Sequence, residues 1–157
     1  MYNRKAIRLK NYDYSKNGLY FITICTKNRE NMLSEILKGA VKTDPYIKLN
    51  KMGKIIEKEL INISKHFNSI KICDYVIMPN HVHFIIEKNV GAGLDQPSNI
   101  KISNVIGLLK SGVSKKIGYS IWQRNYYEHI IRNDEEYCKI CNYMKNNPLK
   151  WIIPPEY

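Results

Sequence analysis

Hydrophobic and polar positions change period several times along this chain of 157 residues. Residues 19–27, LYFITICTK, follow a glycine and are rich in β-branched and aromatic side chains, which predicts a strand. Residues 28–44 carry no clear period, and one short strand or turn fits there. Then Met52, Ile55, Ile56, Leu60, Ile63 and Phe67 recur at three-to-four spacing, with Lys54, Glu57, Lys58 and Lys65 largely between them. That pattern predicts an amphipathic helix. Residues 70–78 predict a second strand, which Pro79-Asn80 breaks. His81 to Glu87 resumes as a third strand, so the two read as a hairpin. Residues 89–98 are polar, contain glycine and proline, and read as a loop. Ser103 is placed to cap a second helix bearing Val105, Leu108, Leu109, Val113 and Ile117, although Gly107 and Gly112 are poor helix formers. Residues 121–132, IWQRNYYEHIIR, predict a fourth strand. Asn133 caps a third helix, with Glu136 in capping-box position. That helix is expected to stop near Asn147, because a proline at 148 disfavours helical geometry in the residue before it.

The predicted order is β-α-β-β-α-β followed by a helix, one domain over residues 1–157. This is the α+β, ferredoxin-like split βαβ pattern: an antiparallel sheet with two helices on one face. The terminal helix then has only the other face to cover. No repeat, low-complexity tract or apolar run of membrane-spanning length interrupts the chain. The N-terminal segment is basic without an apolar core, so no secretory signal is expected and the protein is placed in the cytoplasm.

Charge adds a partner class. Lys and Arg number 25 against 14 Asp and Glu, a formal net charge of +11. Such an excess draws polyanions by counterion release and long-range steering. The 12 tyrosines suit stacking on unpaired bases. Cys138 and Cys141 have the spacing of a zinc or redox pair, but no second pair completes a tetrahedral site. They, with Cys25 and Cys73, are read as reduced structural thiols.

The chemistry concentrates in Met78-Pro-Asn-His-Val-His-Phe-Ile-Ile86. Side chains alternate across a strand, so Val82, Phe84 and Ile86 share an apolar face while His81 and His83 share the other. Two imidazoles on a rigid strand can hold one divalent cation with open positions left over, although such a pair is also common without metal. In the last helix Tyr143 and Asn147 are four residues apart and point the same way. If that helix covers the histidine face, a phenol and an amide oxygen meet the imidazoles. Alone, the same two residues read as an amphipathic core position and a helix C-cap.

Taken together, His81-Val-His83 and Tyr143-Met-Lys-Asn-Asn147-Pro148 resemble the single-tyrosine HUH transposases of small insertion sequences and their REP-associated relatives. Tyr20 to Arg29 is similar to that family's first strand, Asn104 to Ser111 to its Lys-bearing helix, and Ile121 to Arg132 to the segment before its catalytic helix. The resemblance covers about residues 7–150. It implies Tyr143 as nucleophile, His81, His83 and Asn147 as ligands of Mg²⁺ or Mn²⁺, and a 5′-phosphotyrosine intermediate in hairpin-containing single-stranded DNA. Asn147 stands where insertion-sequence members commonly carry Gln. The resemblance leaves both a monomer and a homodimer with swapped helices open. Lys110, Lys115, Lys116 and Arg124 are candidates for the DNA backbone and Trp122 for stacking on a base, with a solvated charged surface as the plain alternative. Tyr126, Tyr127 and Tyr137 lack an Asn at plus four; the first two and His129 are read as structural. Two rival functions are a non-catalytic nucleic-acid-binding module and a metal nuclease that uses water as nucleophile.

Overall fold

The computed structural model describes residues 18–40, 44–89 and 100–153. The basic N-terminal segment and nearly all of the predicted 89–98 loop lie outside them. Four strands form the main sheet: β1 (Gly18–Cys25), β4 (Ile70–Ile77), β5 (His81–Lys88) and β6 (Tyr127–Ile131). Their spatial order is β4-β5-β1-β6, and every neighbouring pair is antiparallel. Helices α1 (Lys51–His66) and α2 (Ile102–Ile117) pack on one face, and α3 (Asp134–Ile152) lies on the other. This is the predicted α+β, ferredoxin-like arrangement.

Strand alternation builds two cores of unequal size. Tyr20, Ile22 and Ile24 of β1 and Val82, Phe84 and Ile86 of β5 face α1 and α2, meeting Ile56, Leu60, Val105, Leu109 and Val113. The intervening residues face α3. There Phe21, Ile85, Ile131 and Met144 form a smaller core, with Val76, Tyr137 and Ile140 at its edge. Each large apolar side chain so buried contributes about 1.5–3 kcal/mol, so α3 is held by fewer such contacts than α1 or α2.

The helices begin where local chemistry predicts. Asn50 caps α1 by accepting from the Gly53 amide at 3.0 Å, and its own amide donates to the Met32 carbonyl at 2.6 Å. Gly53 is required at that crossing, since a Cβ there would lie 2.3 Å from the Leu33 carbonyl oxygen. Asn133 caps α3 by accepting from the Glu136 amide at 2.8 Å. Gly118, at φ 100°, ends α2 in the left-handed conformation.

One local expectation is extended and three are corrected. The region read as patternless holds a short 3₁₀ turn (Lys27–Arg29) and β2 (Ser34–Leu37), which pairs with β3 (Tyr46–Leu49) in a separate two-stranded sheet. Its strands are only four residues each, too short to show a period. Helix α2 begins one residue before Ser103, and Lys101 stands at its cap with no side-chain bond. The fourth strand is confined to Tyr127–Ile131, because residues 121–126 leave the sheet after a lone bridge from Trp122 to Thr26. Helix α3 does not stop at Asn147 but runs through Pro148 to Ile152. Among the described residues no helix is long and apolar enough to cross a membrane.

Candidate active site

The site lies on the α3 face, at the end of the sheet where β1 finishes and β5 begins. Register places Thr23 opposite His83 and Cys25 opposite His81. The two imidazoles stand 4.6 Å apart, centroid to centroid, inclined at 70°. Each uses Nδ1 for support. Thr23 Oγ1 lies 2.7 Å from His83 Nδ1, and Asn80 Oδ1 lies 2.7 Å from His81 Nδ1. A carboxamide oxygen only accepts, so Nδ1 of His81 carries the hydrogen and its Nε2 carries the lone pair. The Thr23 hydroxyl is able to accept in the same way, which would leave His83 Nε2 with its lone pair free as well. Partners of this kind orient the imidazoles of metal centres.

His83 is 5% exposed, and its Nε2 is buried with no hydrogen-bond partner. Burial pushes its pKa down to about 3, aided by the neighbouring His81 and Arg29 and opposed by the Asn147 carboxamide. His81 is lowered for the same leading reason. Both rings are therefore neutral near pH 7, the form that binds a cation. A buried lone pair without a donor is a costly arrangement, and an electron-pair acceptor at that point would remove the cost.

Helix α3 brings the remaining groups to the same chain's histidines. Met144, 2% exposed, seats the helix on the smaller core. One residue earlier, the Tyr143 ring lies 5.5 Å from the His83 ring and 6.3 Å from Phe21, both edge-on. Tyr143 is 42% exposed, so its ring rests against the site while part of the side chain stays open to solvent. Lys150, two turns on, holds its ammonium 4.9 Å from the Tyr143 ring centroid. Asn147 is buried against both imidazoles, and its Nδ2 donates to the Tyr143 carbonyl at 2.8 Å. That bond commits the nitrogen and leaves Oδ1 as the free donor atom. Two Nε2 atoms and one amide oxygen, with the remaining directions open, can hold an octahedral divalent cation. Among the described residues no cluster of three or more His, Cys, Asp or Glu offers a rival site.

The other tyrosines are elsewhere. Tyr137 packs at the edge of the smaller core, where burial and a bond with Cys141 push its pKa to about 12. Tyr126 packs on the main core, as expected. Tyr127, expected to pack, is instead 57% exposed, because it opens the shortened strand at the sheet edge. His129 pairs with Glu136, a structural contact joining β6 to the first turn of α3.

The candidate DNA-binding residues do not join the cluster. Lys115 and Lys116 are exposed on α2, on the opposite face of the sheet, and Lys116 pairs with Glu59 of α1. Lys110 is half-buried and donates to the Gln123 carbonyl at 2.8 Å and the Asn125 carbonyl at 3.3 Å. Its ammonium pins the loop in which the exposed Arg124 sits. The stacking role expected of Trp122 is corrected: at 4% exposure it belongs to the main core and presents no face to a base. Thr23, Asn80, Phe21, Arg29 and Lys150 were not among the predicted site residues. Thr23 and Phe21 become visible only once the β1–β5 register is known. The four thiols are free, and Cys138 is exposed.

No family model matches the chain. An uncharacterized protein of Haemophilus influenzae is 35% identical over 96% of this chain and 91% of its own length. A REP-associated tyrosine transposase of Escherichia coli K12 is 24% identical over 88% of this chain and 72% of its own. Among solved structures, a REP-associated tyrosine transposase bound to a REP hairpin has the same fold, with a TM-score of 0.67 and 23% identity over 92% of this chain and 74% of that one. Sequence likeness over nearly the whole length, the shared fold and the joining of His81-Val-His83 to Tyr143 and Asn147 agree, and the chain is similar in sequence and fold to the REP-associated tyrosine transposases.

Proposed function

We propose that this protein nicks and rejoins single-stranded DNA next to a hairpin, with Tyr143 as the nucleophile. The observation that carries the reading is the meeting, within one chain, of the Tyr143 ring with His83 and of the Asn147 carboxamide with both imidazoles. The solved relative bound to a REP hairpin supports hairpin DNA as the substrate class. The +11 charge suits a polyanion.

His81 Nε2, His83 Nε2 and Asn147 Oδ1 would hold Mg²⁺ or Mn²⁺. Such a cation, when bound, polarises a phosphate oxygen and neutralises charge that develops during transfer. The Thr23 and Asn80 bonds keep the rings turned toward it. Tyr143 Oη forms a bond to phosphorus and loses its proton to solvent. The bond from phosphorus to the 3′ oxygen breaks, and that oxygen leaves as a 3′-hydroxyl after taking a proton. The 5′ phosphate remains esterified to Tyr143, so the phosphodiester energy is conserved and no ATP is needed. Rejoining is the reverse attack by a 3′-hydroxyl. A phenolate, with an ordinary pKa of about 10, is a far better leaving group than an alkoxide, which makes the ester reversible.

The test is a denaturing gel after incubation with Mn²⁺ and a pool of labelled single-stranded hairpins with randomised flanks. A DNA–protein adduct is expected from the wild type. It should be absent in Tyr143→Phe and in the double variant His81→Ala with His83→Ala. Cleavage without an adduct would assign the nucleophile to water. Binding without cleavage across the whole pool would reduce the protein to a binding module.

A further inference from the structure

The 3₁₀ turn at Lys27–Arg29 borders the site, and the reaction above leaves it unused. Asn28 and Arg29 both sit in the left-handed region, at φ 53° and 56°. Asn tolerates that conformation, whereas a long side chain such as Arg rarely adopts it and glycine would occupy it freely. The turn is bound tightly to the histidine strand. The buried Thr26 hydroxyl lies between the carbonyls of Glu30, at 2.8 Å, and Asn80, at 3.1 Å. The Asn80 side chain donates to the Arg29 carbonyl at 3.3 Å and accepts from the His81 ring at 2.7 Å. One carboxamide thus couples the Arg29 backbone to the imidazole pair. Yet the Arg29 side chain is exposed and, among the described residues, takes no hydrogen-bond or ion-pair partner. Burial raises the pKa of Cys25 and lowers those of His81 and His83; the Arg29 charge opposes the first shift and adds to the other two. Strained backbone clusters at functional sites, and here it carries an exposed cation on a turn bonded to the histidine strand.

We propose that Arg29 binds the phosphate that Tyr143 attacks, its guanidinium taking the non-bridging oxygens beside the imidazole pair. The proposal rests on the function read above and names a substrate-binding residue for it. A guanidinium matches two phosphate oxygens with two parallel N–H donors, which an ammonium cannot do. Charge gathers on those oxygens during phosphoryl transfer, so the contact strengthens as reaction proceeds.

The experiment compares wild type with Arg29→Ala, Arg29→Lys and Arg29→Gly. Affinity for a single-stranded hairpin oligonucleotide is followed across a salt series, adduct formation is followed in a single turnover, and Mn²⁺ binding is read by electron paramagnetic resonance. Loss of one phosphate contact on a single strand should reduce the slope of log affinity against log salt by about 0.7 in the Ala and Gly variants. Their adduct rate should fall by about 10²-fold, and added guanidinium should partly restore it in Arg29→Ala. Arg29→Lys should keep the slope but not the full rate. Mn²⁺ affinity should not change. Glycine accepts the left-handed turn, so loss of fold does not account for its result. Unchanged slope and rate in all variants would overturn the proposal. So would a fall in Mn²⁺ affinity parallel to the rate, because Arg29 would then act only by supporting the histidines. A wild type that forms no adduct would sink the nicking reaction, while the salt slope would still report whether Arg29 contacts phosphate.

Discussion

Each imidazole of the site has its Nδ1 engaged by a neutral partner, and the Nε2 of His83 is buried without a hydrogen-bond partner. Thr23 and Asn80 hold the Nδ1 atoms, and burial withholds a proton from Nε2 of His83. The folded-state pKa of about 3 lies below the ordinary 6.5, so the unfolded chain binds a proton that the folded chain refuses. Stability from this group is therefore fully present above pH 6.5 and declines as pH falls toward 3. The slope approaches about 1.4 kcal/mol per pH unit inside that window. Urea unfolding at pH 7 and pH 5 checks it: wild type should lose about 2 kcal/mol more than His83→Gln over that interval. Parallel losses in the two proteins would show that His83 titrates normally.

At the scale of elements, α3 is the informative helix. Proline inside a helix removes one backbone bond and its ring crowds the preceding turn, at a cost of about 3 kcal/mol. Here Pro148 is buried, and the Asn147 side chain bonds the Tyr143 carbonyl one turn back. The proline and the Asn147 side-chain bond thus fall in the same stretch of the helix. Pro148→Ala should raise the unfolding free energy by about 1–2 kcal/mol while weakening Mn²⁺ binding roughly tenfold, the scale of effect seen when a ligand's support is altered. Calorimetry on one preparation measures both, and a variant unchanged in Mn²⁺ affinity would contradict the coupling. Elements with long periods were legible from sequence: the Met52 to Phe67 spacing, the alternation around His81 and His83, and the Asn133 cap all correspond to observed structure. The β2–β3 pair was not, because four-residue strands carry too little pattern. The passage of α3 through Pro148 was not, because a local rule for the residue before proline yielded to packing on the sheet. Trp122 was misread because an aromatic in a charged segment looks like a surface platform until the chain's path buries it.

At the scale of the molecule, topology does what no segment does alone. Residues 83 and 143 are far apart in sequence, and they meet because the split βαβ order leaves one sheet face for the last helix. Residue type and spacing raised His81, His83, Tyr143 and Asn147 as candidates and the family resemblance joined them, but the groups that support them were not legible. Thr23 depends on strand register, and Asn80 and Arg29 depend on how two turns pack together. The account's central claim is that Tyr143, and no other of the 12 tyrosines, becomes esterified to the 5′ phosphate of cleaved DNA. Mass spectrometry of the proteolysed, nuclease-trimmed adduct tests it directly. The account predicts a nucleotide-bearing peptide modified at Tyr143, released by 3′-hydroxyl DNA under rejoining conditions. A modification mapped to Tyr127, Tyr137 or a residue other than tyrosine would contradict it.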